Sequence, residues 1–365
     1  MFRRPLISCN CLRRPSGARL VHNSPPRSFR DRIPFSPVAT PTKSVFPATV
    51  FCVGVSTLAF GTAAYLTNTD AEKRLESLGH LTRYPWTNWN RDLQFQLASA
   101  RMEEQIDKAR KFIAEFPRDW RWPSILAQNW LDIGEAKRTV WGIGLVCVGV
   151  WGVWQIPRYH RITKWLVHNP LVNRPITLLT SVFSHQSFTH LLFNSLALLS
   201  FGPSTIALLN QQFVSREPDE NPLPHSTSRY EFLAFFVTGG LVSSLVSQVW
   251  SLKVLFPRGG ASGIIPSLGA SGAIYSCLAA TALGYPETLV SIIFFPFFPF
   301  SIGNAFFSMM ALDAIGLLRG WRMFDHAAHL GGAVFGMSYA TWGHEAFQKL
   351  RARIGNYNSD GSKKN

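Results

Sequence analysis

Charge is scarce in this chain. Only 16% of its 365 residues are Asp, Glu, Lys or Arg, against about a quarter in ordinary soluble domains, which argues against a conventional water-soluble protein. Cysteine is scarcer still. Of the five, Cys9 and Cys11 lie near the start and Cys52, Cys147 and Cys277 in uncharged apolar runs, where a thiol behaves as a small hydrophobe; a disulfide scaffold is excluded. No G-x-x-x-x-G-K-[ST], G-x-G-x-x-G, paired C-x-x-C or H-E-x-x-H occurs, so neither nucleotide nor common zinc chemistry is supported, and no cofactor or metal is expected. Acidic residues are absent from Met1 to Arg30. That stretch also lacks the apolar run of about 7–15 residues that a secretory signal requires.

What is present is uneven. Hydrophobic residues make up 47% and aromatics 13%, and the formal charge is +15, yet the mean hydropathy is only +0.07, an average over unlike parts. Residues 1–43 hold nine basic side chains and one acid, Asp31, which is +8 of the +15. An Arg-rich, Ser-containing, acid-poor start resembles a mitochondrial transit peptide. The remaining +7 is spread over connectors, loop mouths and tail without a basic stripe, so no nucleic-acid partner is expected.

A bilayer-spanning helix needs about 20 apolar residues. Uncharged stretches at 44–66, 139–157, 190–209, 232–252 and 326–343 qualify, and Pro286, Pro296 and Pro299 divide a further apolar region into helices at about 271–284 and 300–318. Seven spans result, one isolated and six clustered. The domain reading is therefore 1–43 transit peptide and basic segment, 44–66 extra span, 67–138 polar connector, 139–343 six-helix core, and 344–365 basic polar tail. In the connector, twelve basic and eleven acidic residues occur between Asn68 and Arg138, and 93–116 has the spacing of an amphipathic helix. Residues 211–225 read as a solvated loop, and the tail as helical at first and frayed after Gly355.

Polar side chains inside spans are costly and are functional hypotheses by default. Those in question are His190 with Asn194, the Gly269-Ala-Ser271-Gly272 turn, Asp313, and His326 with His329. If the spans near 190, 271 and 326 are the second, fourth and sixth of the cluster, they run parallel, and His190, Asn194, Ser271 and His329 all fall in their first turns at one face. The span at 271–284 rises only about 21 Å, short of the roughly 30 Å hydrocarbon core. Its start must lie below the surface, reached by a Gly- and Pro-punctuated stretch, 259–268. A serine hydroxyl there is a plausible nucleophile and neutral His329 a base able to take its proton. Gly332 and Gly336 form a small-xxx-small face that lets their helix approach its neighbour, His190 and Asn194 share a face from which both can donate to an oxyanion, and Tyr275 can stack on the imidazole. Plainer readings stand beside these. Ser271 can be an N-cap, His190 with Asn194 interhelical glue, His326 with His329 a metal pair or His326 an interfacial residue or one that supports the site from behind, Asp313 a buried structural carboxylate or ion-pair partner, and His185 a packing or loop-anchoring residue. Ser262, in a second G-x-S-G, is followed by Pro266 and belongs to a loop.

In combination, His190-Leu-Leu-Phe-Asn194, Gly269-Ala-Ser271-Gly272-Ala-Ile-Tyr275 and Ala328-His329-Leu-Gly-Gly332 with Gly336 resemble the rhomboid intramembrane serine proteases over residues 137–343. The extra span and basic start resemble the mitochondrial, presenilin-associated rhomboid-like branch. The resemblance implies an all-α polytopic membrane protein, a six-helix rhomboid core with one extra N-terminal transmembrane helix (1+6). It makes Ser271 the nucleophile and His329 the base of a dyad without a carboxylate, with His190, Asn194 and the Ser271 N–H as oxyanion hole and Tyr275 packed on His329. It also implies a multi-pass protein of the mitochondrial inner membrane, acting in the lipid bilayer on single-pass transmembrane substrates. Fungal mitochondrial members are associated with a dynamin-like GTPase and cytochrome c peroxidase. The Trp-Arg pair many bacterial members carry in the first long loop is absent, Arg174 being followed by Pro175. The alternative is a catalytically inactive rhomboid-like protein that binds membrane clients. With the N-terminus in the matrix, the mouth would open on the matrix side, in weak agreement with the basic loops there.

Overall fold

In the computed structural model of the chain, the described residues are 44–79, 91–156, 160–172, 174–214, 223, 225–292 and 295–355. The expected transit peptide and the end of the tail lie outside them, as does most of the expected loop 211–225. The helices are α1 (Phe46–Ser77), α2 (Arg91–Ala114), α3 (Trp122–Asp132), α4 (Gly134–Trp154), α5 (Phe188–Val214), α6 (Arg229–Trp250), α7 (Ser271–Gly284), α8 (Ile302–Arg319), α9 (His326–Ser338) and α10 (His344–Ile354). A two-stranded antiparallel hairpin, β1 (Leu289–Ile292) and β2 (Phe295–Ser301), joins α7 to α8.

Composition explains why α7 is the hub. Its residues are small or apolar on every side, Ser-Gly-Ala-Ile-Tyr-Ser-Cys-Leu-Ala-Ala-Thr-Ala-Leu-Gly, so no stripe is left to face lipid. It packs against α5, α6, α8 and α9, while α4 packs on α5, and α1 lies outside the bundle against α6 and α10. Between apolar helices in lipid the attraction comes from close packing rather than from water release. Accordingly, a Cβ on Gly332 would stand 2.1 Å from the Gly272 carbonyl oxygen and one on Gly336 2.3 Å from that of Ser276. That clearance lets the Ser276 hydroxyl donate across the interface to the Gly332 carbonyl at 2.9 Å.

Among the described residues, four helical stretches are long and apolar enough to cross a membrane, Phe46–Ser77, Phe188–Gln211, Arg229–Gly263 and Ile302–Arg319, with Ser271–Gly284 shorter. Seven were expected from uncharged runs. The other two differ for physical reasons: α4 opens with Glu135, Lys137 and Arg138, and α9 is thirteen residues long before a π-turn, Tyr339–Gly343, leads into α10. Span α1 runs on to Ser77, so the expected connector begins as a continuation of that helix. The expected amphipathic helix is α2. The break in helix follows from the prolines, since Pro296 and Pro299 remove the N–H groups a helix interior needs.

Candidate active site

The turn before Ser271 is built by residues flanking α7. Gly269 has φ +126°, a backbone conformation L side chains rarely adopt, and its N–H donates to the Ser181 carbonyl at 2.9 Å. Two residues earlier, Ser267 pairs with His168 through two backbone hydrogen bonds of 2.9 Å. The loop after α4 thus fixes the entry to Ser271, and is itself pinned by the Trp154 indole donating to Ser184 Oγ at 2.9 Å and by a 2.9 Å bond between His168 and Thr177. In that loop, where the Trp-Arg pair is missing, the Arg174 guanidinium instead covers the Trp165 ring at 5.2 Å. Ser262 is exposed in a single turn, its hydroxyl bonded to the Gly259 carbonyl at 2.9 Å.

His329 is presented by an equally constrained helix start. Asp325 caps α9, one carboxylate oxygen accepting from the Ala328 N–H at 3.1 Å and the other from the Ser247 hydroxyl at 2.6 Å. The Ser243 hydroxyl donates to the Ala328 carbonyl at 2.8 Å. Together with the Gly332 clearance, these contacts place His329 Nε2 3.0 Å from Ser271 Oγ. The Tyr275 ring, one turn after Ser271, stacks on the imidazole with centroids 4.3 Å apart and planes 11° apart.

The structure departs from the expected carboxylate-free dyad at Asp313. This α8 residue, 5% exposed, has Oδ1 at 3.2 Å from His329 Nδ1 and at 2.5 Å from His326 Nδ1, and its Oδ2 accepts from the Tyr275 hydroxyl at 2.6 Å. With Nδ1–H of His329 donating to Asp313, Nε2 keeps its lone pair toward the Ser271 hydroxyl. His326, expected at the interface, behind the site or as one of a metal pair, is buried and bound to the same carboxylate as His329. An aspartate in an uncharged span was the available signal for this contact. Its two histidine partners were not legible, because they depend on how α8 and α9 are set against each other.

On the opposite flank, a Cβ at Gly269 would meet His190 Nε2 at 2.8 Å and Asn194 Nδ2 at 3.8 Å, so both α5 side chains stand against the turn that precedes Ser271. Asn194 Nδ2 is buried and, among the described residues, has no hydrogen-bond partner, which leaves this donor open beside the turn. As the first residue of α7, Ser271 contributes one of the N–H groups that a helix start leaves without an intrahelical acceptor. His185 is fully buried, edge-on to the His190 ring at 5.0 Å, and its Nε2 is 3.5 Å from the Ala270 N–H. It was expected as a packing or loop-anchoring residue, and it lies against both sides of the turn. Chemically, the arrangement offers a hydroxyl, an imidazole nitrogen within hydrogen-bond reach of it and polar groups beside the turn.

A family model described as Rhomboid domain matches residues 172–346. The human presenilin-associated rhomboid-like protein, mitochondrial, is 34% identical over 319 residues, 87% of this chain and 71% of that protein. The zebrafish presenilin-associated rhomboid-like protein A, mitochondrial, is 32% identical over 323 residues, 84% of this chain and 73% of the relative. Rhomboid protein 1, mitochondrial, of Saccharomyces cerevisiae is 31% identical over 220 residues, 60% of this chain and 56% of its own. Apolar spans, a Gly-paired central helix and relatives that are mitochondrial by name lead to one conclusion: the chain is a mostly helical mitochondrial membrane protein and belongs to the rhomboid family.

Proposed function

We propose that this protein is an intramembrane serine protease of the mitochondrial inner membrane, hydrolysing a peptide bond in or near the transmembrane segment of single-pass substrates. The observation that carries the reading is the 3.0 Å Ser271 Oγ to His329 Nε2 contact beside an unpartnered buried amide donor at Asn194. In the first step the Ser271 oxygen attacks the scissile carbonyl carbon while its proton passes to His329 Nε2. The oxyanion is received by Asn194 Nδ2, His190 and the Ser271 N–H. Collapse breaks the C–N bond, and the proton on Nε2 goes to the departing amine. Water then attacks the acyl-enzyme, His329 taking its proton and returning it to Ser271 Oγ. Throughout, Asp313 holds Nδ1–H and so keeps the imidazole in the working tautomer. The substrate class stands on the membrane setting of the site; a dynamin-like GTPase and the cytochrome c peroxidase precursor are the first candidates to test.

The test is cleavage of a single-pass reporter in proteoliposomes. Ser271→Ala and His329→Ala should each lower turnover by roughly 10⁴-fold or more, with thermal unfolding unchanged, and a serine-directed fluorophosphonate probe should label Ser271 alone. Normal cleavage in either variant sinks the mechanism. A folded wild type that neither cleaves nor takes the probe would establish the inactive, client-binding alternative.

A further inference from the structure

Away from the candidate active site, the first turns of α4 and α6 border a cavity of about 550 Å³ that also reaches α2. Its mouth is basic. Arg101, Arg138 and Arg229 line it against Glu135, the one acid on its wall among the described residues. The pairing there is unequal: Arg101 lies 2.5 Å from Glu135 and 3.7 Å from Asp70, whereas Arg229 stands 3.7 Å from Glu135 and otherwise has a neutral partner, donating to the Tyr230 hydroxyl and lying over its ring at 4.4 Å. Arg138 is held by neutral partners, donating to Gln105 Oε1 at 3.0 Å and lying over the Trp130 ring at 5.2 Å.

Below the mouth the wall changes character. Gly142, Val146 and Leu233 continue the cavity along two helices, and a Cβ at Gly142 would meet no atom within 4 Å, so the channel beside Gly142 is unfilled. Val146 is 51% exposed and Leu233 37%, so the channel is open to the side. Cationic groups at helix starts over an apolar, laterally open crevice match one amphiphile, an anion carried on an acyl chain. Trp130 beside Arg138 is the amphipathic residue type that favours headgroup depth.

We infer that this cavity is a binding site for an anionic phospholipid, its phosphodiester held by Arg138 and Arg229 and one acyl chain laid along Gly142 between α4 and α6. Occupancy would fill the gap between these helices and tie the connector helix α2 to the membrane surface.

The experiment is native mass spectrometry of the full chain in dodecyl maltoside micelles with added phosphatidylglycerol or phosphatidylcholine. Phosphatidylglycerol should bind preferentially. Arg138→Gln and Arg229→Gln should each weaken it about fivefold, the effect of one basic side chain at a charged surface, while phosphatidylcholine binding stays constant and Arg138→Lys restores the preference. Gly142→Leu, which leaves both arginines in place, should reduce binding of both lipids by filling the crevice. Equal affinity for the two lipids, or phosphatidylglycerol binding untouched by the double arginine variant or by Gly142→Leu, would overturn the site. Glycerol 3-phosphate competing as well as phosphatidylglycerol would reduce it to a plain anion site and equally refute the lipid assignment.

Discussion

Two buried histidine–carboxylate clusters sit at the two ends of α9 and look alike at first sight. At its start, Asp313 holds His329, His326 and the Tyr275 hydroxyl. At its end, Glu231, 1% exposed, accepts from the Tyr339 hydroxyl at 2.8 Å and bonds His344 Nδ1 at 2.8 Å. Beside this second cluster, the fully buried Arg351 donates to Asn68 and Gln348 at 2.9 Å each. The chemistry of the pairs is the same, but their surroundings differ. The first places the free imidazole nitrogen against a half-buried serine hydroxyl and near an amide donor without a partner. The second joins α1, α6 and α10 side chain to side chain, with the Asn68 amide returning a bond to the Arg351 carbonyl at 2.9 Å. A histidine–carboxylate pair alone therefore does not distinguish the two ends. What distinguishes the proposed site is the serine hydroxyl facing its imidazole, together with an amide donor left open.

The contrast can be broken by experiment, beginning where the largest effect is expected. Asp313→Asn preserves shape but frees the imidazole to take the wrong tautomer, and should lower reporter cleavage per folded molecule by about 10³–10⁴-fold, on top of a stability loss of about 1–3 kcal/mol like that expected for any buried carboxylate that loses its donors. Asn194→Ala should cost about 10²–10³-fold in turnover, as loss of one oxyanion donor does, with substrate KM nearly unchanged. A normal rate in that variant would leave the unpartnered amide without a catalytic use. Gly332→Ala should cost about 10²-fold, because a Cβ 2.1 Å from the Gly272 carbonyl must move α9 and with it His329. At the other end, Glu231→Gln should destabilise the protein by about 1–3 kcal/mol in thermal unfolding while cleavage per folded molecule stays normal. A large fall in specific activity there would erase the difference drawn between the two ends.

Much of this was readable along the chain. His190-Leu-Leu-Phe-Asn194 puts two polar groups on one helical face at a fixed spacing, and the proline-free run after Ser271 marks it, rather than Ser262, as a helix start. Gly332 and Gly336 announce a close neighbour by their spacing alone. Other features depend on how separate segments meet. Asp313 shows in the sequence only as a charge in an apolar span, and nothing local tells whether it faces His329, a second histidine or a distant cation. The pairing of His168 with Ser267 and the bond from Gly269 to Ser181 are equally silent, because backbone hydrogen bonds carry no side-chain signature. The hairpin after α7 was visible as a break in helix and invisible as strands, since paired strands need a partner that proline content does not name.

What the sequence determined by itself is the medium and the inventory: scarce charge segregates the chain into apolar spans, and the few polar residues left within them stand out because lipid makes each one costly. What only the tertiary structure decided is their grouping. The rotation of α8 sets Asp313 under His329, the glycine-lined approach of α9 brings that histidine to Ser271, and the loop after α4 sets the turn before it. These are relations across hundreds of possible pairings, fixed by packing that has no local code.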